Sequence, residues 1–281
     1  MAETATVYRG DLQRFLRRIS DVTEVDFGLY RDAYVERRVS ARMRSLDIHT
    51  YRQYSSYLES HPEERSLLLE TVTINVTDFF RDSAVYDIFR SRVIPDLIAQ
   101  KKSSHQHLIR VWSAGCASGE EPCSITMSLL DVLGREARDF AITVVATDID
   151  EAVLRKAKRA EYPMSQLAQL PADTRERYVE HLGTTFRINA DVTRHIKFRC
   201  LNLFDDSPIQ PVDVIFCRNV FIYFKRCEQE RVLNRFWSAL HRGGYLILGR
   251  SEKMPSSLAS RFELVDGRYR VYRRAKNEEL Q

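Results

Sequence analysis

The residues most able to do chemistry lie in a short turn of small side chains. Residues 111–121 read VWSAGCASGEE, so an apolar run ends at Gly115 and is followed by the adjacent acids Glu120 and Glu121. Small residues let a ligand approach the backbone closely, and a helix that begins after them offers free N–H groups. The two carboxylates would repel a pyrophosphate but suit a ligand with a positive centre, such as the sulfonium and ammonium of S-adenosylmethionine. A plain strand-to-helix connection, with acids that only complement the helix dipole, is the alternative.

Polar residues also follow two other apolar runs. Residues 146–150 read ATDID, and a carboxylate at the end of a second strand is where an adenosine ribose is held, which favours Asp148 as ribose ligand and Asp150 as a helix cap. Residues 213–224 read DVIFCRNVFIYF, in which Arg218 and Asn219 close a strand. Such residues face the crevice of an open α/β sheet. Tyr223, a little further on, could face the same crevice or could be a packed aromatic with a solvated hydroxyl group.

The elements that must position these residues follow two different sequence patterns. Residues 1–72 predict a small helical bundle, with apolar residues at helical spacing in 7–19 and 27–46 and shorter helices at 50–58 and 62–72. Residues 73–82 predict a linker, and 83–102 a helix. From residue 108 onward strands and helices alternate, which is typical of a doubly wound α/β domain. The predicted strands are 108–114, 141–147, 196–200, 212–217 and 245–249. The predicted helices are 120–133, 151–159 and 228–240. The last predicted element is a hairpin over 262–272.

Residues 162–195 are too long for a loop between a helix and the next strand. We predict an inserted antiparallel β-subdomain there, in which 184–188 pairs with 192–197 through a turn at 189–191.

Composition narrows the function classes. The composition, with 44% apolar and 29% charged residues, predicts an ordinary soluble protein. No apolar run is long enough to insert into a membrane. Because the N-terminus lacks a secretory pattern, we expect the protein in the cytoplasm. Its five cysteines include no CxxC pair, so we expect no zinc site or disulfide framework. A net charge of +4 suits an acidic partner, whereas nucleic-acid binding would need a stronger basic cluster.

Six motifs in order along the chain resemble the CheR family of chemoreceptor glutamate O-methyltransferases. They are TINVTDFFRD at 73–82, RVWSAGCASGEEP at 110–122, ATDID at 146–150, Asn202-Leu203, DVIFCRNVFIYF at 213–224 and GGYLILGRSE at 243–252. The resemblance implies an N-terminal all-helical docking domain over 1–72, a linker at 73–82 that contributes to the cofactor pocket, and a class I (Rossmann-like) methyltransferase domain over 83–281. Cys123 and Arg250 depart from the family pattern, and Arg250 leaves substrate detail open.

The resemblance also implies roles for single residues. Glu121 would face the methionine end of S-adenosylmethionine, and Asp148 would hold its ribose. The remaining pocket residues would be Asn75, Thr77, Arg81, Gly115, Asn202, Leu203, Arg218 and Asn219. Since a glutamate is already ionised at pH 7, methyl transfer needs no general base, and we expect Arg81 and Tyr223 to guide the substrate carboxylate.

The implied partner is the cytoplasmic helical domain of a chemoreceptor in membrane receptor arrays. Residues 31–44 place their arginines on one helical arc and their apolar residues on the other, so we expect Arg37, Arg38, Arg42 and Arg44 to dock an acidic helix. A solvated face without a partner is the alternative. The turn of the inserted subdomain looks short, which favours direct recognition over a receptor peptide tether, and we expect a monomer.

Three other functions stay open. A methyltransferase with another substrate would share the pocket but not the helical domain. A non-catalytic adaptor would bind S-adenosylmethionine or S-adenosylhomocysteine without turnover. A nicotinamide dehydrogenase is disfavoured by the acidic pair and the incomplete glycine pattern.

Overall fold

A computed structural model describes residues 2–23, 25–73, 75–205, 209 and 211–275, with the side chains of residues 2–10 and 22 left aside. Their contacts divide them into two compact units. One, the helical unit, contains the described residues up to Asn75 together with Tyr223–Gln229. The other, the α/β unit, contains Val76–Ile222 and the described residues from Glu230 onward.

The helical unit is built from α1 (Ala2–Thr23), α2 (Asp32–Ser45), α3 (Tyr51–Ser60) and α4 (Pro62–Thr73). Local capping sets the start of α3. The Thr50 side chain accepts the N–H of Gln53 in a capping box that begins α3. The single helix predicted over 27–46 is wrong in its first part, because a 3₁₀ turn at Phe27–Leu29 and an extended Tyr30 precede α2.

The α/β unit begins with α5 (Ser83–Ile88) and α6 (Ile94–Ser103), which are continuous through a π-helical turn at Phe89–Val93. The seven-stranded sheet has the order β6-β2-β1-β7-β8-β10-β9. Its strands are β1 (Leu108–Ala114), β2 (Ala141–Asp148), β6 (Ile196–Cys200), β7 (Val212–Cys217), β8 (Leu240–Leu248), β9 (Phe262–Asp266) and β10 (Val271–Arg274). All pairs are parallel except those of β10, so the carboxyl ends of the first five strands in this order meet at one edge. The helices between them are α7 (Glu120–Leu133), α8 (Glu151–Arg159) and α11 (Arg226–Ala239).

Helices cover both faces of this sheet. Trp112 of β1 meets Phe236 of α11 edge-on, at 5.0 Å between ring centroids. Phe216 of β7 lies one residue beyond the register partner of Trp112, so it points to the opposite face and packs against Tyr86 and Phe89. This double layer is why β7 is buried along its whole length. No described helix combines the length and apolarity needed to cross a bilayer.

The inserted subdomain is an antiparallel sheet of β3 (Glu161–Pro163), β4 (Val179–His181) and β5 (Thr185–Ile188), in the order β3-β5-β4, with α9 (Ala172–Tyr178) before β4. The predicted pairing of 184–188 with 192–197 is wrong. The Asn189 side chain accepts the N–H of Asp191 and caps α10 (Ala190–Thr193) instead of forming a hairpin turn. Ile196 then begins β6 of the main sheet.

Candidate cofactor-binding and active site

The turn after β1 is held by the end of β2. The N–H groups of residues 115 and 116 donate to the carbonyl oxygen of Thr147, at 2.8 and 2.9 Å, and that of Ala117 donates to Asp148 Oδ2 at 2.9 Å. Gly115 has φ +82°, and a Cβ there would lie 2.5 Å from Val220 Cγ2. Three successive N–H groups are thus already used within the protein, so the turn does not offer them as a cradle for a pyrophosphate.

Glu121 lies in the first turn of α7 with its carboxylate buried. Ser113 Oγ donates to Oε1 at 2.7 Å, and Arg218 lies 3.9 Å from Oε2. Burial raises the pKa of Glu121, while the nearby Arg218, the Ser113 hydrogen bond and Arg81 lower it in part. An ionised carboxylate in so little water is stabilised by a cationic ligand.

Glu120 is engaged differently from its neighbour. Ser118 Oγ donates to its Oε2 at 2.7 Å, and Gln166 lies 3.5 Å from Oε1. Its carboxylate is also buried, and burial raises its pKa. Of the two acids singled out in the sequence, Glu121 is therefore the one that shares its surroundings with Arg218.

Asp148 closes β2 and is buried. Its carboxylate accepts the N–H of Ala117 and, at 3.1 Å, that of Asp150. Burial raises the pKa of Asp148, and these N–H groups lower it in part. Asp150 caps α8 by accepting from residues 152 and 153, as predicted. Leu201 donates its N–H to the Asp148 carbonyl, so Asn202 follows directly at the end of β6.

Arg218 and Asn219 directly follow β7, and each has a buried polar atom without a hydrogen-bond partner among the described residues. Arg218 donates to Asp82 Oδ2 at 2.6 Å, but its Nε has no hydrogen-bond partner among the described residues. The same is true of Asn219 Oδ1, whose residue has φ +60°. Buried polar atoms of this kind cost free energy unless a ligand or water satisfies them. Asp82 had no predicted role, although it lies in the TINVTDFFRD motif.

Glu252 fixes the backbone that carries Asn219. This buried carboxylate accepts the N–H groups of Gly249, Asn219 and Phe221, at 2.6, 3.1 and 2.7 Å. A Cβ on Gly249 would lie 2.6 Å from Glu252 Oε2. The sequence analysis gave Glu252 no role, and the signal for it was an acid three residues after the glycine that follows an apolar strand.

The linker contributes to both units. Asn75 belongs to the helical unit, whereas Thr77 and Arg81 belong to the α/β unit. Phe80 is buried and donates its N–H to Ser124 of α7 at 3.0 Å. The half-buried Arg81 donates to the carbonyl oxygen of residue 76 at 3.0 Å. It is close enough to Glu121 to lower the pKa of that carboxyl.

These residues fit S-adenosylmethionine. Glu121 offers a buried carboxylate for the ammonium group, Asp148 a carboxylate for ribose hydroxyls, and Asn219 an unpaired buried acceptor. Comparison with known proteins agrees with this fit. A model of the CheR methyltransferase SAM-binding domain matches residues 75–271, and one of the CheR methyltransferase all-alpha domain matches residues 10–73.

The chain belongs to the CheR methyltransferase family. It is similar to a chemotaxis protein methyltransferase of Borreliella burgdorferi, with 30% identity over 88% of this chain and 89% of that protein. It is also similar to chemotaxis protein methyltransferase 2 of Pseudomonas aeruginosa, with 33% identity over 87% and 86%. The predicted family, the class I methyltransferase fold with its all-helical domain, and S-adenosylmethionine as methyl donor are confirmed.

Tyr223, to which the CheR resemblance gave a catalytic role, belongs to the helical unit. Its ring lies 4.6 Å from that of Tyr34 of α2, between centroids, and its carbonyl oxygen accepts the N–H of Arg31 at 2.9 Å. Burial, with a further contribution from Tyr223, raises the pKa of Tyr34 to about 12. Tyr223 is thus a packed aromatic within this unit, and its catalytic role stays a prediction.

The cationic arc of α2 differs from the sequence-based expectation at one position. Arg42 forms a two-pronged ion pair with Glu64 of α4, at 2.6 and 2.5 Å, and Tyr54 also donates to Glu64. Glu64 is only 2% exposed, so Arg42 is occupied inside the helical unit. Arg37 and Arg44 are exposed, and Arg38 is half-buried.

Proposed function

We propose that this protein methylates glutamate side chains in the cytoplasmic helical domains of chemoreceptors and forms methyl esters, with S-adenosylhomocysteine as by-product. The observation that carries the proposal is the buried Glu121 carboxylate at the carboxyl edge of the sheet, which favours a cationic methyl donor over a phosphate-bearing cofactor. The relatives are chemotaxis protein methyltransferases, which supports receptors as the substrate class.

The donor supplies an electrophilic methyl group, and the protein must align it with a carboxylate that is ionised at neutral pH. We assign Glu121 to the ammonium group of the donor and Asp148 to its ribose hydroxyls. Asn202 and Leu203 would flank the adenine, and Arg218 and Asn219 would border the methyl group. The other residues assigned to the cofactor are Asn75, Thr77, Arg81 and Gly115. Because no proton has to be removed from the substrate, these residues bind, orient and exclude water.

Arg81 would orient the substrate carboxylate. Among the described residues, the Arg81 guanidinium makes one hydrogen bond, to a backbone carbonyl oxygen, which leaves most of its donors for a ligand. We expect Arg81→Ala to lower kcat and to leave affinity for S-adenosylhomocysteine nearly unchanged. Full activity of this variant would remove Arg81 from the mechanism.

Tyr223 is assigned a role in the same step as a separate proposal. Tyr223→Phe keeps the ring that packs on Tyr34 and removes only the hydroxyl group. A lower kcat with unchanged unfolding free energy would support a role of the hydroxyl. Unchanged kcat would leave Tyr223 with packing alone.

The experiment that tests the function uses radiolabelled S-adenosylmethionine and receptor cytoplasmic fragments. We expect base-labile label on the receptor band, as methyl esters require, and none with fragments whose methylated glutamates are changed to alanine. No label, combined with normal binding of S-adenosylhomocysteine, would favour a non-catalytic adaptor.

For substrate docking we retain Arg37, Arg38 and Arg44 of α2, and omit Arg42 because Glu64 holds it. An acidic receptor helix would complement these cations and recruit the enzyme, as a monomer in the cytoplasm, to membrane receptor arrays. Receptor fragments should then bind Arg37→Glu more weakly than Arg42→Lys, which keeps the charge that faces Glu64.

A further inference from the structure

Two neighbouring turns of the α/β unit carry cations without acidic partners. The first turn, residues 249–253, follows β8, and the second, residues 267–270, joins β9 to β10. Arg250, Lys253 and Arg268 are exposed and Arg270 is half-buried. Within the described part of the chain none of the four forms an ion pair, whereas Arg273 of β10 pairs with Asp96 at 3.1 Å. We call these four residues the turn cluster.

The two turns that carry the turn cluster contact each other through Arg250 and Arg270. Arg270 Nε donates to the carbonyl oxygen of Arg250 at 3.4 Å, and the Arg270 carbonyl oxygen accepts the N–H of Leu248 at 3.1 Å. Asp266, the last residue of β9 before the second turn, accepts the N–H groups of residues 268 and 269, at 3.0 and 2.9 Å. Its carboxylate is therefore used to shape the turn rather than to pair with the arginines.

The turn cluster lies at the edge of the sheet that carries the cofactor residues. Strand β8 runs parallel to β7, so the turn after β8 lies at the same edge as Arg218 and Asn219. Glu252, inside that turn, accepts the N–H of Asn219. On β9, which leads into the second turn, Leu264 is 61% exposed, which adds an apolar contact beside the cations.

We propose that the turn cluster docks the acidic face of the substrate helix and is a specificity-determining surface of the α/β unit itself. A helix that presents glutamates for methylation carries negative charge, which four unpaired cations attract. Exposed charges of this kind mainly steer encounter and set KM, and salt screens them. This inference rests on the proposed function, because it concerns the substrate of that reaction.

The test compares two charge-reversal pairs with equal change in net charge. Lys253→Glu/Arg268→Glu alters one residue in each turn of the cluster. Arg135→Glu/Arg138→Glu is the matched control, because both arginines are exposed in the turn before β2, at the opposite edge of the sheet. Steady-state methylation of a receptor cytoplasmic fragment is measured at low and high salt, and S-adenosylhomocysteine binding by calorimetry.

We expect the cluster pair to raise KM about tenfold at low ionic strength with kcat nearly unchanged, and the difference to shrink at about 1 M salt. The control pair should change KM by less than about twofold, and both pairs should bind S-adenosylhomocysteine like the wild type. Equal KM values for the two pairs, or a cluster effect that salt does not reduce, would overturn the docking role. Failure of the wild type itself to methylate receptors would instead overturn the proposed function.

Discussion

At the scale of single residues, the proposed selection for a cationic ligand rests on one buried carboxylate, that of Glu121. Glu121 and Glu120 are adjacent in sequence and both buried, yet only Glu121 lies near Arg218 and Ser113. Glu120 is bonded to Ser118, on its own turn. Two like charges with different partners therefore have different consequences when they are removed.

We predict that Glu121→Gln weakens S-adenosylmethionine binding by about 10- to 100-fold, because a hydrogen bond to a charged group contributes about 1.5–3 kcal/mol. Calorimetric titration with the donor and with S-adenosylhomocysteine measures this. Glu120→Gln is the matched control and should change the affinity much less. A larger loss in the control would show that the roles of the two acids are exchanged.

Donor binding should also depend on pH through Glu121. Burial raises the pKa of Glu121 above its ordinary value of 4.5, so the free protein takes up a proton there at a higher pH than an exposed glutamate would. Affinity for a cationic ligand should be constant above this raised pKa and fall as the pH decreases through it. In the unliganded protein the sign for stability is opposite, since ionising the buried group costs free energy as the pH rises from 4.5 through the raised value. Titrations over this pH range should show the decline in the wild type and lose most of it in Glu121→Gln.

At the scale of elements, the turn after β1 leaves no room for a Cβ atom at position 115. Gly115 and Gly134 both have positive φ, +82° and +52°, so alanine is strained at either position. Only at Gly115 would the new Cβ meet a neighbour, Val220 Cγ2, at 2.5 Å. A Cβ on Gly134 would have no heavy atom within 4 Å. Alanine at position 134 therefore tests the effect of backbone strain without a steric clash.

We therefore predict that Gly115→Ala lowers both the unfolding free energy and the affinity for S-adenosylhomocysteine. Gly134→Ala should lower only the unfolding free energy, by about 1–3 kcal/mol for the backbone strain. Urea denaturation and calorimetry measure the two quantities. Normal affinity in Gly115→Ala would mean that Val220 moves away at little cost.

A buried ion pair joins α6 to the strand that carries Arg218. Lys101 Nζ lies 2.6 Å from Asp213 Oδ1, and Asp213 Oδ2 accepts the N–H of Arg110 of β1 at 2.8 Å. Both charged residues are nearly inaccessible to water. The pair thus fixes α6, β7 and β1 to one another.

We predict that Lys101→Met lowers the unfolding free energy by about 3–5 kcal/mol, because it leaves the Asp213 charge buried and unpaired. The neighbouring Lys102 pairs with Glu136 at the surface, with both side chains about half exposed. Lys102→Met should therefore cost less than about 1 kcal/mol in the same urea titrations. Equal costs would contradict the assignment of this pair as a buried one.

At the scale of the whole molecule, a ligand that binds only the folded protein must stabilise it. S-adenosylhomocysteine at about 100 times its dissociation constant should raise the unfolding free energy by about 2.7 kcal/mol. At the same concentration Glu121→Gln should gain much less, and a nicotinamide dinucleotide should give no gain. Thermal unfolding followed by calorimetry measures these differences. A gain with the dinucleotide alone would overturn the assignment of the pocket.

Much of the α/β unit could be predicted from local pattern. The bounds of β1, α7 and β7 were predicted to the residue, because continuous apolar runs, a glycine turn and acids in a first helical turn are signals within a few residues. Glu121 stands where α7 begins, and Asp148 and Arg218 stand where β2 and β7 end. Their positions at one edge of the sheet follow from the parallel order of the strands.

Partner choice across long stretches of chain was decided only by the tertiary structure. Arg42 bonds Glu64, Asp82 bonds Arg218, and β5 pairs with β3 and β4 rather than with the segment that follows it. Spacing along one helix or strand gives the direction of a side chain but not what another element brings against it. The amino-acid sequence by itself thus determined the main strands and helices of the α/β unit and the ligand class. The tertiary structure decided which charged side chains form ion pairs within the fold and which, as in the turn cluster, remain available to a partner.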